Sequence, residues 1–151
     1  MKSTAHALVH LAICLTLLIV TMAGCGRPPK TQVASTEVRF RNYANGVLTF
    51  DIAIRKGDSL CCQHGNDGSS VLNEMTPAED KVGTLTVSAS PGHLEISGCG
   101  NQYISTESVM LIQNPELKNG RYHVADYVPN MGAARVPATP LYVYVKKAEA
   151  Q

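Results

Sequence analysis

The chain has no tryptophan and only two phenylalanines, which leaves tyrosine as its main aromatic residue. It carries no block of like charge, so no acidic or basic tail stands out. Thirteen Lys and Arg face 12 Asp and Glu without clustering. Nucleic-acid binding needs clustered cations that replace counterions, so that class is excluded. A Cys-x-x-Cys pair is missing, and with it thioredoxin-type chemistry. No G-x-S-x-G elbow is present for a serine hydrolase. Acidic residues are scattered on predicted polar faces, so no carboxylate pair for glycoside cleavage can be assigned. No long helical period and no internal repeat is visible.

The longest apolar stretch, Leu11 to Ala23, is broken only by Thr16 and Thr21. It is shorter than the about 20 residues that cross a bilayer. Lys2 precedes it and small residues follow, which is the pattern of a secretory leader. The leader ends in Met22-Ala23-Gly24-Cys25. An apolar residue, two small residues and a cysteine resemble the lipobox of bacterial lipoproteins, with Met22 standing where Leu is more usual. The resemblance implies removal of residues 1–24 and attachment of two or three acyl chains, palmitate among them, at Cys25, whose thiol receives diacylglycerol. More than one chain is what stable anchoring requires. Gly26 after the cysteine favours the outer membrane where sorting follows an Asp-based retention rule. Cys14 is a poor rival, because bulky Ile13 precedes it.

Without Lys2 the remaining chain is neutral and long enough for one ordinary domain. Residues 25–35 read as the lipid-bearing cysteine and a flexible tether, with two prolines and no apolar period. Residues 36–151 turn to period two. Val38 and Phe40 alternate with charged residues, Asn45-Gly46 signals a hairpin, and Leu48, Phe50, Ile52 and Ile54 form the clearest strand. Leu85 and Val87, then Leu94 and Ile96, repeat the pattern on either side of Pro91-Gly92. Val109 to Ile112 reads as a central strand buried on both faces. Asn119-Gly120 precedes a strand through Val128, and Leu141, Val143 and Val145 mark the last. Ser59 to His64 reads as a further short strand; Val71 to Met75 is ambiguous, and Pro77 to Asp80 has the composition of a helical turn. The fold expected is all-β, a single sandwich of seven or eight mostly antiparallel strands, with a closed barrel as the alternative. Gly120-Arg121-Tyr122-His123-Val124 resembles the G-x-Y-x-V step of transthyretin-like, prealbumin-type sandwiches. That short resemblance implies fold alone.

Once Cys14 and Cys25 are set aside, Cys61, Cys62 and Cys99 remain, an odd number for an oxidising compartment. The first expectation is a disulfide from Cys99 to Cys61 or Cys62, with a strained vicinal bridge as a lesser option. A second is a copper or zinc site drawing on Cys61, Cys62, His64, His93 and Cys99, since thiolates and imidazoles suit those ions. A hydrolase using Cys99 and His93 is a third. Asn66 to Ser69 is oxygen-rich but lacks the ligand spacing of a calcium loop. Tyr122, Tyr127, Tyr142 and Tyr144 could cover a sheet or offer a binding surface. The function expected is a non-catalytic binding or assembly module in the bacterial envelope that needs no cofactor. Its partners would be the membrane, through Cys25, and envelope proteins, peptidoglycan or a small ligand. Sheet-edge pairing is one available mode. A metal-handling lipoprotein is the alternative.

Overall fold

Strict alternation of apolar and polar residues makes strands, because successive side chains leave opposite faces of an extended chain. The computed structural model describes residues 29–65, 70–134 and 136–149. The leader, Cys25 and the Asn66 to Ser69 loop lie outside them. Thr31–Gln151 forms one compact unit.

Ten strands and no helix occur among the described residues. They are β1 (Glu37–Ala44), β2 (Val47–Ile54), β3 (Ser59–His64), β4 (Val71–Met75) and β5 (Lys81–Ser90), then β6 (His93–Ser97), β7 (Gln102–Leu111), β8 (Leu117–Lys118), β9 (Arg121–Pro129) and β10 (Thr139–Lys146). All pairings are antiparallel, in one sheet of order β1-β2-β5-β6-β7-β9-β10-β3-β4, with β8 on β9. The count exceeds the seven or eight expected. The ambiguous Val71–Met75 segment pairs with β3, and the two-residue β8 is too short to show a period.

Turn chemistry sets the registers. Asn45-Gly46 and Asn119-Gly120 carry φ of 51°, 76°, 51° and 77°. Two successive positive values are what a tight type I′ hairpin demands, and they join β1 to β2 and β8 to β9. β2 then alternates without a break, with Leu48, Phe50, Ile52 and Ile54 buried.

One long strand links the two halves of the sheet. The first part of β7 pairs with β6, the second with β9, and a bulge lies between Thr106 and Ser108. Bulges bend and twist a strand. The sheet is not flat: the Phe50 and Tyr122 rings meet at 5.3 Å, although β5, β6 and β7 stand between β2 and β9 in strand order. Four steps across a flat sheet at about 4.8 Å each would part them by about 19 Å. The sheet therefore curls so that its apolar face closes on itself. One core results, from Val38 and the β2 residues to Val124, Leu141 and Val143.

Three expectations change. Val109 to Ile112 is not buried on both faces: Met110 is 60% exposed, and its neighbours are half-buried. That run lies past the β7 bulge, where only one face meets the core. Pro77 to Asp80 forms a bend, and Asp80 accepts backbone N–H bonds from Val33 (2.8 Å) and Lys56 (2.9 Å). Val33, inside the expected tether, is thereby docked and buried.

Candidate functional site

The cysteines and histidines that stand out in the sequence do not converge. Cys61 and Cys62 are neighbours on β3, so their side chains leave opposite faces. Cys62 points into the core. Cys61 turns the other way, toward its register partner Tyr144. His64 meets the Tyr127 hydroxyl through Nδ1 at 3.3 Å. His93 stacks on Tyr103 with centroids 4.5 Å apart. Among the described residues no three His, Cys, Asp or Glu side chains gather where a metal could sit. The five-residue metal set is thus not assembled among the described residues.

The expected disulfide is not formed either. Cys61, Cys62 and Cys99 are free and buried. Cys62 and Cys99 are nevertheless brought together, because the loop between β6 and β7 carries Cys99 into the core opposite β3. The Cys99 thiol donates to the Leu60 carbonyl at 3.2 Å, beside Cys62 on the same inward face of β3. Asn73, the β4 partner of Cys62, holds the loop from outside: its Nδ2 donates to the carbonyls of Cys99 and of Gly100 (2.7 Å for the latter). Interaction with Cys62 holds the Cys99 thiol below the usual thiol range. Interaction with Cys99, and burial, push Cys62 up. Burial also raises Cys61 and Tyr127.

A second cluster lies on the outer face of β9 and β10. Arg121 and His123 are two apart on β9, and Tyr142 and Tyr144 are their register partners on β10. The Arg121 guanidinium sits 4.1 Å from the Tyr142 ring centroid. The His123 ring lies 5.2 Å from the same ring, and its Nε2 is 2.9 Å from Asp126. Beside them a cleft of about 410 Å³ is lined by Gln63, Asn119, Gly120, Arg121 and Tyr144. Cation–π contact and cross-strand stacking hold these side chains in one geometry. Such a surface can bind; it offers no activated nucleophile.

Sequence reasoning picked out Tyr142 and Tyr144 but not Arg121 and His123. The alternation of β9 carries that signal, since 121 and 123 fall opposite the core residues Tyr122 and Val124. Nothing in the sequence marks Asn73. Compared with known proteins, the chain matches no family model, no curated protein and no solved structure.

Proposed function

We propose that this chain is a lipoprotein of the bacterial envelope, acylated on Cys25, whose β domain is a non-catalytic binding or assembly module. The leader and the Met22-Ala23-Gly24-Cys25 motif support the anchor and favour the outer membrane. The curled sheet is read as a sandwich. The observation that carries the binding reading is the Arg121–Tyr142–His123 cluster. Arginine and tyrosine are the residues that supply most interface energy, through large, stiff, amphipathic contact area. The partner is an envelope protein or peptidoglycan.

A photoreactive residue in place of Tyr144, at the edge of the cluster, tests this in intact envelopes. A discrete crosslinked adduct is expected, lost when Arg121→Glu reverses the charge beside it. Uniform absence of adducts from this face, with adducts arising elsewhere on the domain, would remove the cluster from the binding role.

A further inference from the structure

The Gly98-Cys99-Gly100 loop is shaped to deliver one sulfur to one place. Gly98 has φ 100° and Gly100 has φ 61°, both in the left-handed region that glycine tolerates best. A Cβ on Gly98 would run into the Thr84 carbonyl oxygen, and one on Gly100 would come within 2.6 Å of Asn73 Nδ2. At Gly98 the obstacle is β5 backbone, which cannot turn aside; at Gly100 it is the Asn73 side-chain amide, which can. Within that seat the Cys99 sulfur lies 3.2 Å from the carbonyl of Leu60, whose side chain shares the inward face of β3 with Cys62, and Asn73, the register partner of Cys62, holds the Cys99 carbonyl. Cys61 is excluded by the strand itself, because its side chain leaves the opposite face toward Tyr144.

We infer that Cys62 and Cys99 are a redox pair, a dithiol in this structure, which a disulfide-bearing oxidant converts into a cystine joining β3 to the β6–β7 loop, with Cys61 as a bystander. The exchange balances in two steps. The Cys99 thiolate attacks one sulfur of the oxidant's disulfide, forming a mixed disulfide and releasing the oxidant's other sulfur as a thiolate. The Cys62 thiolate then attacks the Cys99 sulfur and releases the second oxidant thiolate. The pair gives up two electrons and two protons, and the oxidant leaves as a dithiol. The lower-lying Cys99 thiol is suited to the first step. Both sulfurs are fully buried, so exchange belongs to folding or to an opening of β3 and β4 from the loop. That such an oxidant is met in the cell rests on the export reading; the pairing does not.

The full chain, with Cys14→Ser and Cys25→Ser to keep the leader thiols out, is unfolded under reducing conditions and refolded with glutathione disulfide. Remaining thiols are alkylated, and peptide fragmentation between residues 61 and 62 locates the link. The expected product joins Cys62 to Cys99, leaves Cys61 alkylated, and melts about 10 °C or more above the reduced form, since the bridge closes a long loop in the unfolded chain. Cys61→Ala should give the same link. A bridge involving Cys61, or all three thiols alkylated after refolding, would overturn the inference. Failure of lipid attachment at Cys25 would leave this result unchanged.

Discussion

Replacing Gly98 by alanine separates two kinds of strain that usually travel together. Gly98 and Gly92 both have positive φ, 100° and 83°. An alanine at either position meets the left-handed penalty of about 1–2 kcal/mol. The surroundings differ. A Cβ on Gly92 meets nothing within 4 Å, whereas one on Gly98 overlaps the Thr84 carbonyl oxygen and stands 3.0 Å from Leu85 Cα. Both of those neighbours are backbone in β5, so no side chain can rotate away. Forced shifts of this kind cost about 1–3 kcal/mol, sometimes more. Gly92→Ala should therefore lose about 1–2 kcal/mol, and Gly98→Ala about 2–5 kcal/mol. Urea unfolding reads both, with the slope unchanged if the unfolded state is unchanged. Gly98→Ala should also move Cys99 off Leu60 and Cys62, so a thiol reagent should label it faster in the folded protein. Equal stability losses for the two variants would refute the close approach of the β6–β7 loop to β5.

Thr106 is 3% exposed, and among the described residues its hydroxyl is the one buried side-chain group without a hydrogen-bond partner. Thr106→Val keeps the shape and removes that group, so a gain of up to about 1 kcal/mol in urea unfolding is expected, and a loss would show that the hydroxyl is satisfied. Asp58 lies below the usual carboxylate range because the Thr36 hydroxyl and the Ala148 N–H donate to it, and Asp80 because the N–H groups of Val33 and Lys56 do. A carboxylate depressed on folding contributes above its unfolded pKa of about 3.9 and loses that contribution as pH falls through the lower folded value. Stability should hold from neutral pH to about 5 and fall below about 4. Asp58→Asn and Asp80→Asn should flatten that acid limb in thermal melts, and an unchanged limb would count against these bonds.

Local features of the fold were legible wherever one residue type answers one geometric demand. The period of β2 and the two Asn-Gly turns are of this kind, because alternation fixes faces and paired positive φ fixes register. What failed depends on neighbours distant in sequence. The Val109 to Ile112 run looks doubly buried until the bulge after Thr106 aims Met110 outward. Val33 looks like tether until Asp80, far along the chain, takes its N–H. The cysteines were visible as a set, but the meeting of Cys99 with Cys62 depends on the sheet curling over, which no local pattern encodes. Cross-strand stacking around Tyr142 likewise depends on the β9–β10 register, which slips by one between Leu141 and Tyr142.

The most direct test of the proposed anchoring is the intact mass of the protein extracted from membranes. Acylation at Cys25 predicts a chain that begins at residue 25 and carries the added mass of a glyceryl group with two or three acyl chains, from which ester hydrolysis removes two chains and leaves the glyceryl thioether. A chain that keeps residues 1–24, or one that begins at Cys25 with no lipid, would contradict it.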